Sequence, residues 1–166
     1  SQNNSKKINN IYNQCNKILK QYKKEGILLA INSKNNFIDV EKYFKTKKVK
    51  YLNFSDFIIK KINWNQKHIN INEISNEINL NVDSFIFIDD SDYEINLIKK
   101  FLPKVTTIKV PNNINDYPLV LKELRKYFTN KITSEDTKKT KMYFEEQKRI
   151  KSKTKFNSIV SYLSSL

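Results

Sequence analysis

The stretch Ser84-Phe85-Ile86-Phe87-Ile88-Asp89-Asp90 decides which fold the sequence predicts. Its apolar residues form a short unbroken run, which is typical of a strand buried on both faces of a parallel sheet. A second run of this kind, Ile27-Leu28-Leu29-Ala30-Ile31, follows Gly26. Because segments with helical periodicity separate such runs, the sequence predicts an α/β fold in which helices flank a parallel sheet.

Helices and strands are predicted to alternate as far as residue 128. Ile8, Ile11, Cys15 and Ile18 recur every three or four residues, which indicates a helix over 6–24 that Gly26 ends. The other predicted elements are strands at Ile27–Ile31, near Val49–Leu52, at Ser84–Ile88 and at 105–110, and helices at 38–46, 66–79, 92–101 and 117–128. Residues 1–128 are therefore predicted to form an α/β core. Residues 129–166, charged over most of their length, are predicted to form a helical tail that packs on the core or leads into a further domain.

Single copies of glycine, histidine and cysteine exclude several classes of enzyme. Gly26 alone cannot supply the G-x-G-x-x-G loop, the G-x-x-x-x-G-K-[ST] loop or the G-x-S-x-G elbow. His68 alone excludes zinc sites built on several imidazoles, and Cys15 alone excludes an intrachain disulfide. Cys15 lies on the apolar stripe of its helix, so we interpret it as a packing thiol. His68 is interpreted as a helix-surface or half-buried residue and Trp64 as a loop anchor.

The formal net charge of +14 comes almost entirely from lysine, since only Arg125 and Arg149 are arginine. Lysine, asparagine and isoleucine, with 29, 23 and 22 copies, are all encoded by A- and T-rich codons. The charge is therefore interpreted as codon bias and a solvated basic surface. Proteins that read nucleic acids rely heavily on arginine, so nucleic-acid binding is the less favoured interpretation.

No segment reaches the roughly 18–20 apolar residues that would span a bilayer. The first residues, Ser1-Gln2-Asn3-Asn4, lack the apolar region of a secretory signal. We therefore expect a cytoplasmic protein with no membrane association.

Polar side chains follow two of the predicted strands at the point where each strand ends. They are Asn32–Asn36 and Asp89–Asp92, and Lys67 begins the helix between them. Ligands of parallel α/β sheets bind beyond the carboxyl ends of the strands. A serine hydroxyl and a lysine suit phosphoryl oxygens, and paired carboxylates suit Mg²⁺. The sequence therefore predicts phosphoryl chemistry at this edge.

Several blocks of the chain resemble one family, the FkbH-like branch of the haloacid dehalogenase (HAD) superfamily. They include Ile27-Leu28-Leu29-Ala30-Ile31-Asn32-Ser33-Lys34-Asn35, Asn63-Trp64-Asn65-Gln66-Lys67 and Leu80-Asn81-Val82-Asp83-Ser84-Phe85-Ile86-Phe87-Ile88-Asp89-Asp90. Further blocks are Asp116-Tyr117-Pro118, Thr133-Ser134-Glu135-Asp136 and Thr140-Lys141-Met142-Tyr143. The resemblance runs from about Glu25 through most of the chain and implies a HAD-like Rossmannoid fold.

The resemblance also implies roles for individual residues. Ser33 resembles the phosphate-binding hydroxyl of the second HAD motif, and Lys67 resembles the lysine of the third. Asp89 and Asp90 resemble the fourth, acidic motif, with Asp90 as a direct Mg²⁺ ligand and Asp89 in support. By this resemblance Lys67 and Ser33 are expected to be catalytic residues, and Asn32, Ser33, Lys34, Asn35 and Lys67 are expected to bind phosphate or substrate. For Trp64, the resemblance leaves contact with the substrate open as the alternative to a loop anchor.

What the resemblance implies for function is a Mg²⁺-dependent phosphohydrolase. Polyketide-pathway members of this branch take a glyceryl group from a phosphorylated glycerate and load it onto an acyl-carrier protein. Such proteins often carry an acetyltransferase-like domain after a tail similar to residues 129–166.

One motif of the family has no counterpart in the sequence, namely the first D-x-D-x-T, which supplies the nucleophile and the general acid–base. The only D-x-D is Asp90-Ser91-Asp92. It is not interpreted as the first motif, because Glu94 stands where threonine is needed and the serine and lysine motifs precede it. We therefore expect an N-terminally truncated core that is inactive by itself and binds Mg²⁺ weakly or not at all.

The family's first-motif strand lies between the strands that correspond here to 27–31 and 84–88. We expect these two strands to pair directly, or to borrow a strand in a swapped homodimer. The alternative to a fragment of an enzyme is a catalytically inactive HAD-like module that binds an acidic partner such as an acyl-carrier protein. A basic nucleic-acid-binding domain is a third, less favoured interpretation.

Overall fold

The computed structural model describes residues 2–46, 49–128 and 134–164. They fall into two units, 1–131 and 132–166. The helices are α1 (Gln2–Lys24), α2 (Phe37–Lys45), α3 (Lys67–Ile78), α4 (Asp92–Phe101), α5 (Tyr117–Glu123), α6 (Arg125–Phe128) and α7 (Ser134–Ser164). The strands are β1 (Leu29–Ser33), β2 (Phe57–Ile62), β3 (Ile86–Asp89) and β4 (Thr106–Lys109). Strands and helices alternate through the first unit, which confirms the predicted α/β fold.

The described strands form two parallel pairs rather than one continuous sheet. β1 pairs with β2, with Asn32 opposite Lys61, and β3 pairs with β4, with Ile88 opposite Ile108. The direct pairing expected between β1 and β3 is wrong, since no ladder joins them in the described part of the chain.

Strands β1 and β3 each have one edge that no described strand covers. The carbonyls of Phe85 and Asp89 accept hydrogen bonds from amides on the β4 side, at 3.1 and 3.0 Å. Successive peptide groups of a strand point to opposite sides, so those of Ile86 and Ile88 point away from β4. In β1, the Ser33 carbonyl accepts a hydrogen bond from the Asn63 amide at 3.1 Å. The backbone N–H and C=O groups of the alternate residues Ala30 and Asn32 therefore point away from β2. Two open edges result.

Burial reflects these open edges. Ala30 is exposed, Ile31 is half-buried, and of the β3 apolar residues only Phe87 is buried. The expectation that both runs are buried on both faces is therefore wrong. A strand with a neighbour on one side only leaves part of its apolar surface in water.

The second strand lies further along the chain than predicted. Residues 49–52 form no strand, and Tyr51 has a φ of 72°, a left-handed conformation that an extended strand excludes. The true strand, Phe57–Ile62, contains two lysines that interrupt its apolar pattern. Lys61 forms ion pairs with Glu73 and Glu77 of α3 at 2.8 and 2.6 Å, so its charge is neutralised on the sheet face.

The main apolar core lies between β3 and the two helices that follow β2 and β3. It consists of Ile71, Phe87, Ile95, Ile98, Leu102 and Val105, with Val82 and Phe85 packed against it. Helix α1 is tied to the rest of the unit by two polar anchors. The Tyr22 hydroxyl donates to the Leu121 carbonyl at 2.6 Å, and Lys20 and Lys23 both contact the buried Asp56. As predicted, α1 stops before Gly26, whose φ of +99° favours glycine.

Helix α7 forms one unbroken helix of 31 residues, which agrees with a helical tail. Lys141, Met142 and Ile150 are among its exposed residues. Residues 129–133, where the predicted start of the tail and the first residue of the Thr133–Asp136 block fall, lie outside the described residues. None of the described helices combines the length and the apolar character needed to cross a membrane.

Candidate functional site

Lys67, the first residue of α3, connects the ends of β1 and β3. The Asn32 side-chain amide donates to the Lys67 carbonyl at 2.9 Å. The Lys67 ammonium donates to Asp89 Oδ2 at 2.5 Å. Both side chains of this ion pair are largely buried, at 13% and 6% exposure. The structure therefore brings Lys67, Asn32 and Asp89 together at the ends of β1 and β3.

A network of three asparagines, the half-buried Asn32 and Asn63 and the buried Asn70, fixes the position of Lys67. Asn70 lies one turn further along α3 and is fully buried. Its amide nitrogen donates to Asn32 Oδ1 at 2.9 Å and to Asn63 Oδ1 at 3.0 Å, and Asn63 Nδ2 donates back at 3.3 Å. Because a buried amide requires partners for its polar atoms, these hydrogen bonds should be kept in the folded protein. They join β1, the end of β2 and α3.

Sequence reasoning missed Asn70, although a signal was present. Asn70, Ile74 and Ile78 are buried at i, i+4 and i+8 of one helix, so the asparagine heads an apolar stripe. A polar residue in such a position needs a buried partner, and the neighbouring strand ends supply it.

Ser33 ends β1 and offers a hydroxyl to a ligand. Its carbonyl is used by Asn63, while its hydroxyl has no hydrogen-bond partner among the described residues, and the residue is half-buried. Asn35 is exposed and its side chain accepts from the Asn36 amide at 2.8 Å. That side chain therefore stabilises its own turn, and no described contact brings Asn35 to Lys67.

Lys34 reaches α4 and pairs with a buried carboxylate that sequence reasoning did not single out. Its ammonium lies 2.6 Å from Glu94 Oε1, and this hydrogen bond raises the pKa of Lys34. Glu94 is only 6% exposed, and its Oε2 is buried with no hydrogen-bond partner among the described residues. The pair is a second link from the β1 side to the β3 side.

The two adjacent carboxylates of the predicted metal site have different surroundings. Both oxygens of Asp89 are used, one by Lys67 and the other by the Ser91 amide at 2.9 Å, whereas Asp90 is exposed. Asp92 belongs to α4 and pairs with Lys109 at 2.6 Å. The described residues contain no group of three His, Cys, Asp or Glu side chains that could hold a metal ion.

Three single residues can now be placed. Cys15 is buried on α1, and burial raises the pKa of its thiol, so it packs as predicted. His68 is half-buried, with its ring stacked on Phe101 at 4.3 Å. Trp64 is 69% exposed, so its interpretation as a loop anchor is wrong.

What the arrangement can bind follows from its free donors. The Lys67 ammonium has three N–H groups, and Asp89 accepts one of them. The unpartnered Ser33 hydroxyl and the start of α3 lie at the same sheet edge. Hydroxyl, ammonium and helix-start amides are donors that hold phosphoryl oxygens.

The comparisons with known proteins agree with this geometry. The chain is similar to the solved N-terminal part of the protein BF1531 from Bacteroides fragilis, which contains a phosphatase domain and was complexed with Mg. The two share 31% sequence identity, and their structures match with a TM-score of 0.58. The matched region covers 62% of this chain and 28% of the neighbour's chain. The chain matches no protein-family model and no curated protein. The likeness supports a HAD-like phosphatase fold at a coarse level.

Proposed function

We propose that this chain is the phosphate-binding part of a Mg²⁺-dependent phosphohydrolase of the HAD type, in its FkbH-like branch. The observation that carries the proposal is the position of Lys67, which spans the ends of β1 and β3 with its ammonium 2.5 Å from Asp89. These are residues that the family resemblance assigns to its third and fourth motifs. The likeness to a phosphatase domain supports the same function.

In the proposed site, Lys67 and Ser33 hold the phosphoryl oxygens. Asp89 orients the Lys67 ammonium through their hydrogen bond. Asp90 is the exposed carboxylate that would hold Mg²⁺ together with ligands that the described residues do not supply. When bound, Mg²⁺ neutralises charge on the phosphoryl group.

The nucleophile is proposed to arrive on an added strand. The sequence contains no D-x-D-x-T, and β1 and β3 present open edges at the place where the family resemblance puts the strand that carries it. A parallel strand there would satisfy the backbone groups of both edges and cover the half-buried Ile31 and Ile88. A preceding segment of a longer protein would supply this strand in cis. A strand swapped in from a second copy of this chain would cover the open edges but would bring no nucleophile, because the sequence has no D-x-D-x-T.

The FkbH-like resemblance further implies a phosphorylated glycerate as substrate and an acyl-carrier protein as partner. Carrier proteins are typically acidic, and the +14 charge of this chain would increase their rate of association. The proposal therefore includes an acyl-carrier protein as the partner and a phosphorylated glycerate as the substrate.

The experiment measures hydrolysis of 4-nitrophenyl phosphate with Mg²⁺ by two proteins. The first is the 166-residue chain, which we expect to show no turnover. The second is the chain preceded by an apolar strand ending in D-x-D-x-T, which we expect to turn over substrate.

Activity of the extended protein should disappear when the first Asp of that motif becomes Asn, and also in Lys67→Met. Lys104→Met, which removes a lysine from the turn before β4, is the matched control and should leave activity unchanged. Turnover by the unextended chain that is lost in Asp90→Asn would refute the proposal. So would an extended protein that folds but neither hydrolyses the ester nor binds phosphate.

A further inference from the structure

Helix α1 carries positive charge only. Its 23 residues contain six lysines and no aspartate or glutamate, whereas α2, α3, α4 and α5 of the same unit each contain at least one carboxylate. Codon bias raises the lysine content of the whole chain, but it does not remove the acidic residues from one helix. The charge of α1 is therefore a local feature, distinct from the basic composition of the chain.

Three of these lysines form a row along the exposed side of α1. Their spacing, i, i+11 and i+18, places Lys6, Lys17 and Lys24 on one face of the helix. All three are exposed, and their face lies away from the buried Ile11 and Tyr22. At 1.5 Å of rise per residue, this lysine row is about 27 Å long.

The lysine row has no ion-pair partner in the part of the chain that the structure describes. Lys20 and Lys23, on the flank of α1, both pair with Asp56 at 2.8 and 2.7 Å. Glu25, the carboxylate nearest to the row in sequence, accepts two hydrogen bonds of 3.0 Å from Arg125. The charges of the row are therefore not neutralised within the unit and are available to a partner.

A cavity of about 330 Å³ lies at the N-terminal end of the row. Two lysines and three asparagines line it, namely Lys6, Asn9, Asn10, Asn13 and Lys50. The Lys50 backbone amide donates to Asn13 Oδ1 at 3.3 Å, which ties the segment before β2 to α1. An ammonium group only donates hydrogen bonds, and each asparagine side chain offers two N–H donors. The cavity is therefore suited to a carboxylate side chain.

We propose that the lysine row and this cavity form the docking surface for a partner protein that presents an acidic helix. One carboxylate of that helix enters the cavity beside Lys6. Others, three turns and then two turns further along, contact Lys17 and Lys24. The inference goes beyond the proposed function, because it requires neither the nucleophile nor Mg²⁺, and an acidic carrier protein would be one such partner.

The spacing of the row favours an acidic helix over a nucleic acid. Along the helix axis Lys6 and Lys17 are about 16.5 Å apart, and Lys17 and Lys24 about 10.5 Å. Carboxylates on one face of a partner helix can match these spacings. Duplex DNA, in contrast, carries a charge about every 1.7 Å of its axis and suits a denser row of cations. Arginine, which binds phosphates in a bidentate manner, is absent from α1.

Two helical peptides of about 22 residues test the proposal by calorimetry with the full 166-residue chain. Both have the same alanine-based composition with three glutamates. The first peptide places its glutamates on one face at the spacing of the lysine row, and the second spreads them around the helix. Because each exposed ion pair contributes little, we expect three together to make the first peptide bind about tenfold more tightly than the second.

Charge variants locate the contact. Replacing Lys6 and Lys17 together by glutamine should remove most of the tenfold preference. The matched control replaces Lys99 and Lys104 by glutamine, which changes the net charge equally at exposed lysines of α4 and of the turn before β4, and should keep the preference. Lys17→Glu should weaken binding of the first peptide, and a peptide with lysine in place of its middle glutamate should restore it.

Equal affinities for the two peptides, or the same loss of preference in the control variant, would show that net charge alone acts and would overturn the docking surface. A single-stranded oligonucleotide of equal charge that binds more tightly than the first peptide would overturn it as well. Lys67→Met should leave peptide binding unchanged, and a loss in this variant would contradict docking on α1. Phosphate binding by the same variant bears on the proposed function alone.

Discussion

Asp56 provides a quantitative test of how α1 is held on the α/β core. Its carboxylate is 5% exposed and accepts from the Asn53 amide, from Lys20 at 2.8 Å and from Lys23 at 2.7 Å. Burial alone would raise the pKa of Asp56, but the Asn53 amide and the two ammonium groups outweigh it and lower the pKa from 3.8 to about 2. Asp56→Asn removes the negative charge, so Lys20 and Lys23 both lose their ion-pair partner.

The expected cost follows from this pKa. A folded-state pKa of about 2 against 3.8 in the unfolded chain corresponds to about 2.4 kcal/mol of stability at pH 7. Because the folded pKa is lowered, this contribution is present above the unfolded pKa and is lost as the pH falls toward 2. At pH 3 it should be about 1.3 kcal/mol.

Urea unfolding followed by circular dichroism measures both values. Asp56→Asn should lower the free energy of unfolding by about 2–3 kcal/mol at pH 7, and by roughly half as much at pH 3. Glu41→Gln is the control, because Glu41 pairs with Lys45 on an exposed helix face at 3.3 Å and should cost under about 0.5 kcal/mol. A difference between parent and Asp56→Asn that stays constant from pH 7 to pH 3 would refute the assigned pKa.

Three further predictions concern the site and the strand edges. Asn70→Ala should cost about 1–3 kcal/mol in urea unfolding, because it leaves the half-buried amides of Asn32 and Asn63 without their partner; a cost below about 0.5 kcal/mol would contradict the network. In hydrogen exchange, the amides of Ile86 and Ile88 should exchange much faster than those of Phe87 and Asp89, and equal protection would show that the β3 edge is covered. Calorimetry should give the 166-residue chain a Kd for Mg²⁺ weaker than about 1 mM, and micromolar binding would show that its carboxylates suffice.

The fold class and most of the site positions could be predicted from the sequence. Unbroken apolar runs indicated β1 and β3, although β1 begins two residues later than predicted. Polar residues at strand ends indicated Asn32, Ser33 and Lys67, which the structure places at one edge. Their roles as catalytic and binding residues stay predictions.

The remaining features depend on contacts that sequence periodicity does not contain. The strand Phe57–Ile62 was missed because Lys60 and Lys61 break its apolar pattern, and the acidic partners of Lys61 lie on α3, more than ten residues away. The sequence gives no sign that Glu94 is buried and paired, because its partner Lys34 is sixty residues away. In the sequence, Glu94 is only the residue that stands where the D-x-D-x-T motif needs threonine. Trp64 was misplaced because a lone tryptophan in a loop gives no sign of its exposure.

The open edges of β1 and β3 also bear on how the protein behaves in solution. Exposed strand edges are templates for pairing between copies, and half-buried apolar residues beside them strengthen such contacts. The +14 charge opposes this by mutual repulsion. Salt shortens the range of that repulsion to about 10 Å at 0.1 M, while strand pairing acts at contact distance. Self-association should therefore increase with ionic strength. In this interpretation the lysines keep copies of the chain apart, and so oppose pairing between the open edges of β1 and β3.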